Sequence, residues 1–179
     1  MLIRLSADEV GRCQKFARQQ LETSAGTYAR RGQFNKDVIE RQIVEGKIAE
    51  IAAYKFLRQK KFDVAEPDFT IYEGGRKNYG ADLTDGTLFF HIKSQNKASG
   101  ETYGVSWVFQ KNDPLVTAPQ ASDFIVVTTV AGNLVEVEGV LPAAVLKKEG
   151  VYKEPKTDRL KTTKTCIYLE DLSGLFLTY

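Results

Sequence analysis

The run Thr87–Gln95 alternates so that Phe89, His91, Lys93 and Gln95 share one face of an extended strand, while Leu88, Phe90, Ile92 and Ser94 share the other. Consecutive polar positions on one strand face are costly to bury unless each finds a partner, which makes this face a candidate site. Asp82 lies just upstream, beyond Asp85-Gly86, a dipeptide that joins two β-prone runs into a hairpin. Glu50 is the lone acid in Ile48-Ala49-Glu50-Ile51-Ala52-Ala53, at the edge of an apolar helical stripe. A carboxylate, a further oxygen or nitrogen ligand and a lysine two residues on suit phosphodiester hydrolysis. Hard oxygens hold Mg²⁺ or Mn²⁺, the metal polarises the phosphate and acidifies water, and the ammonium stabilises charge or orients the nucleophile.

Taken singly, each residue has a plainer reading. Asp82 can begin a turn, Glu50 can be a solvated helix residue, His91 can be a hydrogen-bonded strand residue, and Lys93 is ordinary on a half-exposed strand. Their joint order and spacing carry the case. Asp68 follows Pro67, but no lysine pair stands at hairpin distance beyond it, so it is a decoy or at most an accessory acid. Trp107, beside Phe109, can stack on a base, yet a core aromatic is the expected assignment.

Gly46-Lys47-Ile48-Ala49-Glu50, Gly80-Ala81-Asp82-Leu83 and His91-Ile92-Lys93-Ser94-Gln95 together resemble the motifs of the PD-(D/E)XK nuclease superfamily. The resemblance spans roughly residues 45–130. It implies a restriction-endonuclease-like core, with Asp82 as the metal-binding aspartate, Glu50 as a supporting helix glutamate and Lys93 as the catalytic lysine. Gln95 would match the glutamine of some branches, orienting a water or phosphate. One position departs from the pattern. Where the superfamily has Glu or Asp two residues before its lysine, this chain has His91, its only histidine. Imidazole ligates Mn²⁺, Fe²⁺ or Zn²⁺ but suits Mg²⁺ poorly. Three roles stay open for it: a nitrogen ligand, a proton-transfer group, or the mark of an inactivated nuclease kept for binding.

These residues need a helix, a hairpin and a sheet to position them. Ser6-Ala7-Asp8-Glu9 has the form of a capping box and starts a helix to about Leu21, with Val10, Cys13, Phe16 or Ala17 and Leu21 at helical spacing. Ser24–Gln33 reads as a loop. Asn35 caps a second helix to about Gln59, striped by Val38, Ile39, Ile43, Ile48, Ile51, Ala52 and Phe56. A short strand is expected within Phe62–Phe69, a polar loop over Tyr72–Asn78, and strands at Val105–Gln110, Phe124–Val130, Leu134–Val140 and Cys166–Leu169. Pro142–Lys148 reads as a short helix. The expected fold is a single α/β domain over residues 1–179, a central mixed β-sheet flanked by helices, with an added N-terminal helix.

With 42% apolar and 27% charged residues spread along 179 positions, the chain can bury a core and is not of disordered composition. No apolar run approaches the roughly 20 residues of a membrane helix, Met1–Leu5 is too short for a signal peptide, and Cys13 and Cys166 are isolated. The expectation is a cytoplasmic protein without a membrane partner. The net charge of +2 does not announce nucleic-acid binding. Its distribution says slightly more. Arg12, Lys15, Arg18, Arg30 and Arg31 form one basic cluster, and Lys147, Lys148, Lys153, Lys156, Arg159, Lys161 and Lys164 another, diluted by Glu149, Glu154 and Asp158. Such clusters can neutralise phosphates, although solvated surface is the expected reading of either alone.

Together these features predict a metal-dependent DNA endonuclease, with RNA not excluded. Asp82, His91 and Glu50 are the expected ligands of Mg²⁺ or Mn²⁺, Lys93 and Gln95 the further site residues. A homodimer is expected, since one site per subunit then addresses each strand. The alternative is a weakened or inactive nuclease-fold module that binds nucleic acid, and a third possibility is a structural or protein-inhibiting partner.

Overall fold

The computed structural model describes residues 1–30, with side chains to Thr23, together with 34–72 and 80–177. Arg31 and Gln33, and positions 73–78 of the expected polar loop, lie outside the described residues.

Two long helices lead the chain. Helix α1 (Ala7–Arg30) opens on the reciprocal capping box: the Glu9 amide donates to Ser6 Oγ, and the Ser6 amide donates to Glu9 Oε2. It runs past Leu21 and makes Ser24–Arg30 helical rather than loop. A single glycine there, Gly26, costs only about 1 kcal/mol against alanine, which a long helix tolerates. Helix α2 (Lys36–Gln59) starts where Asn35 accepts the Val38 amide, and it buries Ile48, Ala49, Ile51, Ala52, Ala53 and Phe56. Small alanines on that stripe let the helix lie close to its neighbours.

Among the described residues, five strands form a mixed sheet in the order β1-β6-β5-β3-β2. They are β1 (Leu2–Arg4), β2 (Leu83–Thr84), β3 (Phe89–Asn96), β5 (Asp123–Ala131) and β6 (Leu134–Pro142). Strand β3 runs parallel to β5, and the other pairings are antiparallel. Two further strands, β4 (Ser106–Gln110) and β7 (Lys164–Tyr168), make a separate antiparallel pair. Short helices α3 (Lys97–Tyr103), α4 (Pro114–Thr117) and α5 (Asp158–Lys161) join them.

The alternation of β3 and β5 divides the core in two. Phe90, Val126 and Val130 face α1 and α2, packing with Cys13, Ile48 and Phe56. Ile125 and Val127 face the other way and pack with Trp107, Phe109, Leu146 and Ile167. Trp107 is a core residue, 1% exposed, and its indole N–H donates to the Thr128 carbonyl beside a β-bulge between Val127 and Thr128. The Pro142–Lys148 helix is a 3₁₀ turn over Ala143–Lys147.

The expected hairpin forms, with a longer tip. Leu83 pairs with Phe90 and Thr84 with Phe89, leaving residues 85–88 as the loop. Asp85 Oδ1 accepts the amides of Leu88 and Thr87 and the Thr87 hydroxyl, while Gly86 takes φ +92°. The expected strand within Phe62–Phe69 does not form. Strand β2 is two residues long, and the segment gives it one backbone bond, Ala65 amide to Thr84 carbonyl.

Asp85 offers a stability test. The Leu88 and Thr87 amides hold its carboxyl below the ordinary value, so its contribution is complete above 3.8 and is lost as pH falls through the lowered folded value. Asp85→Ala should cost about 1 kcal/mol at neutral pH in a urea melt, and progressively less in acid.

Candidate active site

Strand β2 covers β3 only as far as Phe90, so the outer edge of β3 is open from His91 onward. An open edge leaves backbone amides without a ladder partner. Asp82, in the bend before β2, fills that gap: its Oδ2 accepts the Ile92 amide at 2.8 Å. The Asp82 amide in turn donates to the Phe90 carbonyl. The carboxylate is thereby fixed beside the residue that separates His91 from Lys93. Asp82 is exposed, and its second oxygen can serve a ligand.

His91, Lys93 and Gln95 share the face of β3 turned toward β4, as the period of two predicts. Parallel pairing with β5 sets Asp123 opposite Phe89, which brings it onto the same face, diagonal to His91. His91 Nε2 lies 3.3 Å from Asp123 Oδ1. Nε2 is thus placed to donate to this carboxylate, and in the neutral ring that does so the lone pair is on Nδ1. The other Asp123 oxygen accepts the Gln120 amide at 2.8 Å. Lys93 Nζ sits 3.8 Å from Asp113 Oδ2 and 4.8 Å from the centre of the Phe109 ring. Asp113 has a second duty, capping α4 through the Leu115 amide. The Lys93 carbonyl accepts the Thr128 hydroxyl, which pins the strand at the lysine.

Gln95, expected to orient a water or phosphate, has its amide engaged elsewhere. Its Oε1 accepts the Ser106 amide, and its Nε2 donates to the Gly104 carbonyl and Ser106 Oγ. These bonds tie β3 to the start of β4 and make Gln95 a positioning residue.

Glu50 stands on α2, across the sheet from the face that carries His91 and Lys93. Its Oε2 meets Lys47 Nζ at 2.5 Å, and both side chains are largely buried. Lys47 also donates to the Asp68 carbonyl. Glu50 lies close enough to Cys13 for its charge to matter: burial first, and Glu50 second, push that thiol up to about 11. Asp68 is tied locally, accepting the Thr70 amide and the Tyr72 hydroxyl.

The structure thus brings Asp82 to the His91-Ile92-Lys93 strand and supplies His91 and Lys93 with an aspartate each. It does not gather Asp82, His91 and Glu50 around one point: among the described residues no three His, Cys, Asp or Glu side chains group as a metal cradle. Asp113 and Asp123 escaped sequence reasoning. Asp123 had a faint signal, a lone acid directly before the apolar run Phe124–Val130.

No protein-family model, curated protein or solved structure matches this chain. No helix among the described residues is long and apolar enough to cross a membrane.

Proposed function

We propose that this chain is a metal-dependent endonuclease of PD-(D/E)XK type, acting on DNA. One observation carries the reading: the Asp82 carboxylate is anchored on the amide of Ile92, the residue between His91 and Lys93. A turn aspartate bound only within its own turn would not require that contact. The order α2, hairpin, α3 crossover and parallel β5 supports a restriction-endonuclease-like core.

By donor type, Asp82 offers hard oxygens suited to Mg²⁺ or Mn²⁺, and His91 a nitrogen suited to Mn²⁺. Glu50, held by Lys47 across the sheet, does not join them in this arrangement, so Asp82 would be the principal carboxylate for the cation. When bound, the metal supplies Lewis-acid polarisation of the phosphate and a more acidic water. Lys93, poised over Phe109 at the partly exposed face, neutralises charge on the phosphoryl oxygens. Asp123 orients His91, as carboxylates commonly do for metal-bound imidazoles, and returns to the site the negative charge that position 91 lacks. A two-fold dimer would let two such sites cut both strands.

Asp123→Ala should lower Mn²⁺-dependent cleavage by about 10- to 100-fold without unfolding the protein. Asp123→Asn keeps an acceptor and should recover part of that loss. Equal rates in all three proteins, at matched melting temperatures, would remove Asp123 from the site.

A second reading has an observation of its own. His91 Nε2 faces Asp123 rather than Asp82, as in a purely structural pair. In that reading the fold binds nucleic acid and does not cut it, so salt-sensitive binding would persist with no cleavage in any metal.

A further inference from the structure

Beyond Lys93 the open edge of β3 borders a cleft of about 410 Å³, lined by residues of α2, α3, β4, β7 and the 155–160 segment. The second basic cluster of the sequence sorts itself here. Lys153 pairs with Asp171 and Lys161 with Asp158. Lys156 and Arg159 line the cleft with Lys93, and neither has a carboxylate partner among the described residues. The lining carboxylate, Glu45, is tied to the Asn96 amide at 2.6 Å. The Lys156 ammonium rests 4.9 Å above the Tyr168 ring, in space that Gly104 (φ +88°) leaves clear. At the rim, Tyr103 ends α3 with 46% of its surface exposed.

Unpaired cations select phosphates, and an exposed aromatic ring selects a flat, unstacked base. The cleft lies within the roughly 300–1,000 Å³ that encloses a small ligand, so an unpaired nucleotide can enter it. A duplex is a convex rod and would reach only the rim. We propose that this cleft holds an unpaired stretch of nucleic acid next to the scissile phosphate. Phosphates lie on Lys156 and Arg159, and a base stacks on Tyr103. The substrate is then a single strand, or a duplex with an unpaired flap or end. This deepens the nuclease reading, because it takes Lys93 as the phosphate-facing lysine shared by both.

The test is fluorescence anisotropy in EDTA, using labelled dT15, rU15 and a blunt 15-base-pair duplex with full-length protein carrying Asp82→Ala, a residue outside the cleft. Single strands should bind at least tenfold more tightly than the duplex, and the dT15 and rU15 arms show whether the sugar matters. Lys156→Ala with Arg159→Ala should weaken dT15 binding about tenfold or more, and should reduce the slope of log affinity against log salt by about 1.4. Tyr103→Ala should cost about tenfold, and Tyr103→Phe little. All these side chains are exposed, so melting temperatures should hold. Duplex binding as tight as dT15, or an unchanged salt slope in the double variant, overturns the cleft assignment. A wild type that cleaves while those cleft results fail leaves the nuclease reading standing. Strong dT15 binding without cleavage does the reverse.

Discussion

Lys93→Ala is expected to lower the cleavage rate by about 10²–10³-fold, the usual loss when one group that stabilises transition-state charge is removed. Binding should change far less. Lys93 is one of three cations at the cleft, so its loss should weaken single-strand affinity by only a few fold and reduce the salt slope by about 0.7. Stability should hardly move. The ammonium is 3.8 Å from Asp113, a quarter of the side chain is exposed, and Asp113 keeps its capping bond to the Leu115 amide without it. Single-turnover rates with saturating protein, measured beside anisotropy and a urea melt, separate the three effects. A fall confined to affinity would make Lys93 a binding residue and not a catalytic one.

Asp82 carries the second large effect, and two substitutions divide its roles. Asp82→Asn keeps an oxygen for the Ile92 amide but removes the charge that a divalent cation needs. It should cost about 10³-fold in cleavage, the loss of several kcal/mol of charge stabilisation, at nearly unchanged stability. Asp82→Ala should lose the same activity and also about 1 kcal/mol of stability, because the open edge of β3 exchanges its carboxylate cap for water. Calorimetric Mn²⁺ titration gives an independent readout, with binding expected in wild type and strongly weakened in both variants. If Asp82→Asn retains activity while Asp82→Ala loses it, Asp82 is a strand cap only.

Much of the frame was legible locally. A serine and a glutamate three residues on, an asparagine before an apolar stripe, and an Asp-Gly between β-prone runs each act through neighbours in sequence. The capping box, the Asn35 cap and the hairpin follow from them. Strand β1 was not legible, because three residues are too few to show alternation. It forms by pairing with β6, a partner more than a hundred residues away. The strand expected within Phe62–Phe69 had the composition but lacked a neighbour long enough to pair with.

The site divides in the same way. Alternation alone placed His91, Lys93 and Gln95 on one face. Their partners come from β5, from the cap of α4 and from the start of β4, brought close by parallel pairing and by the fold of the intervening chain. Beyond the faint signal of a lone acid before the β5 run, no local pattern announces such partners. Hence the aspartate beside His91 and the structural duty of Gln95 emerge only in three dimensions. Glu50 is the instructive case. Its helix was read well, yet packing puts it against Lys47 and near Cys13, on the other side of the sheet from Lys93.

Incubation of supercoiled plasmid, linear duplex, single strands and RNA with Mg²⁺, Mn²⁺ or EDTA tests the central claim most directly. Wild type, Lys93→Ala and Asp82→Asn should be purified side by side. The account predicts cleavage by wild type in Mn²⁺, none in EDTA, and at most residual cleavage by either variant. Equal cleavage by all three proteins, or none by wild type on any substrate and metal, would contradict it.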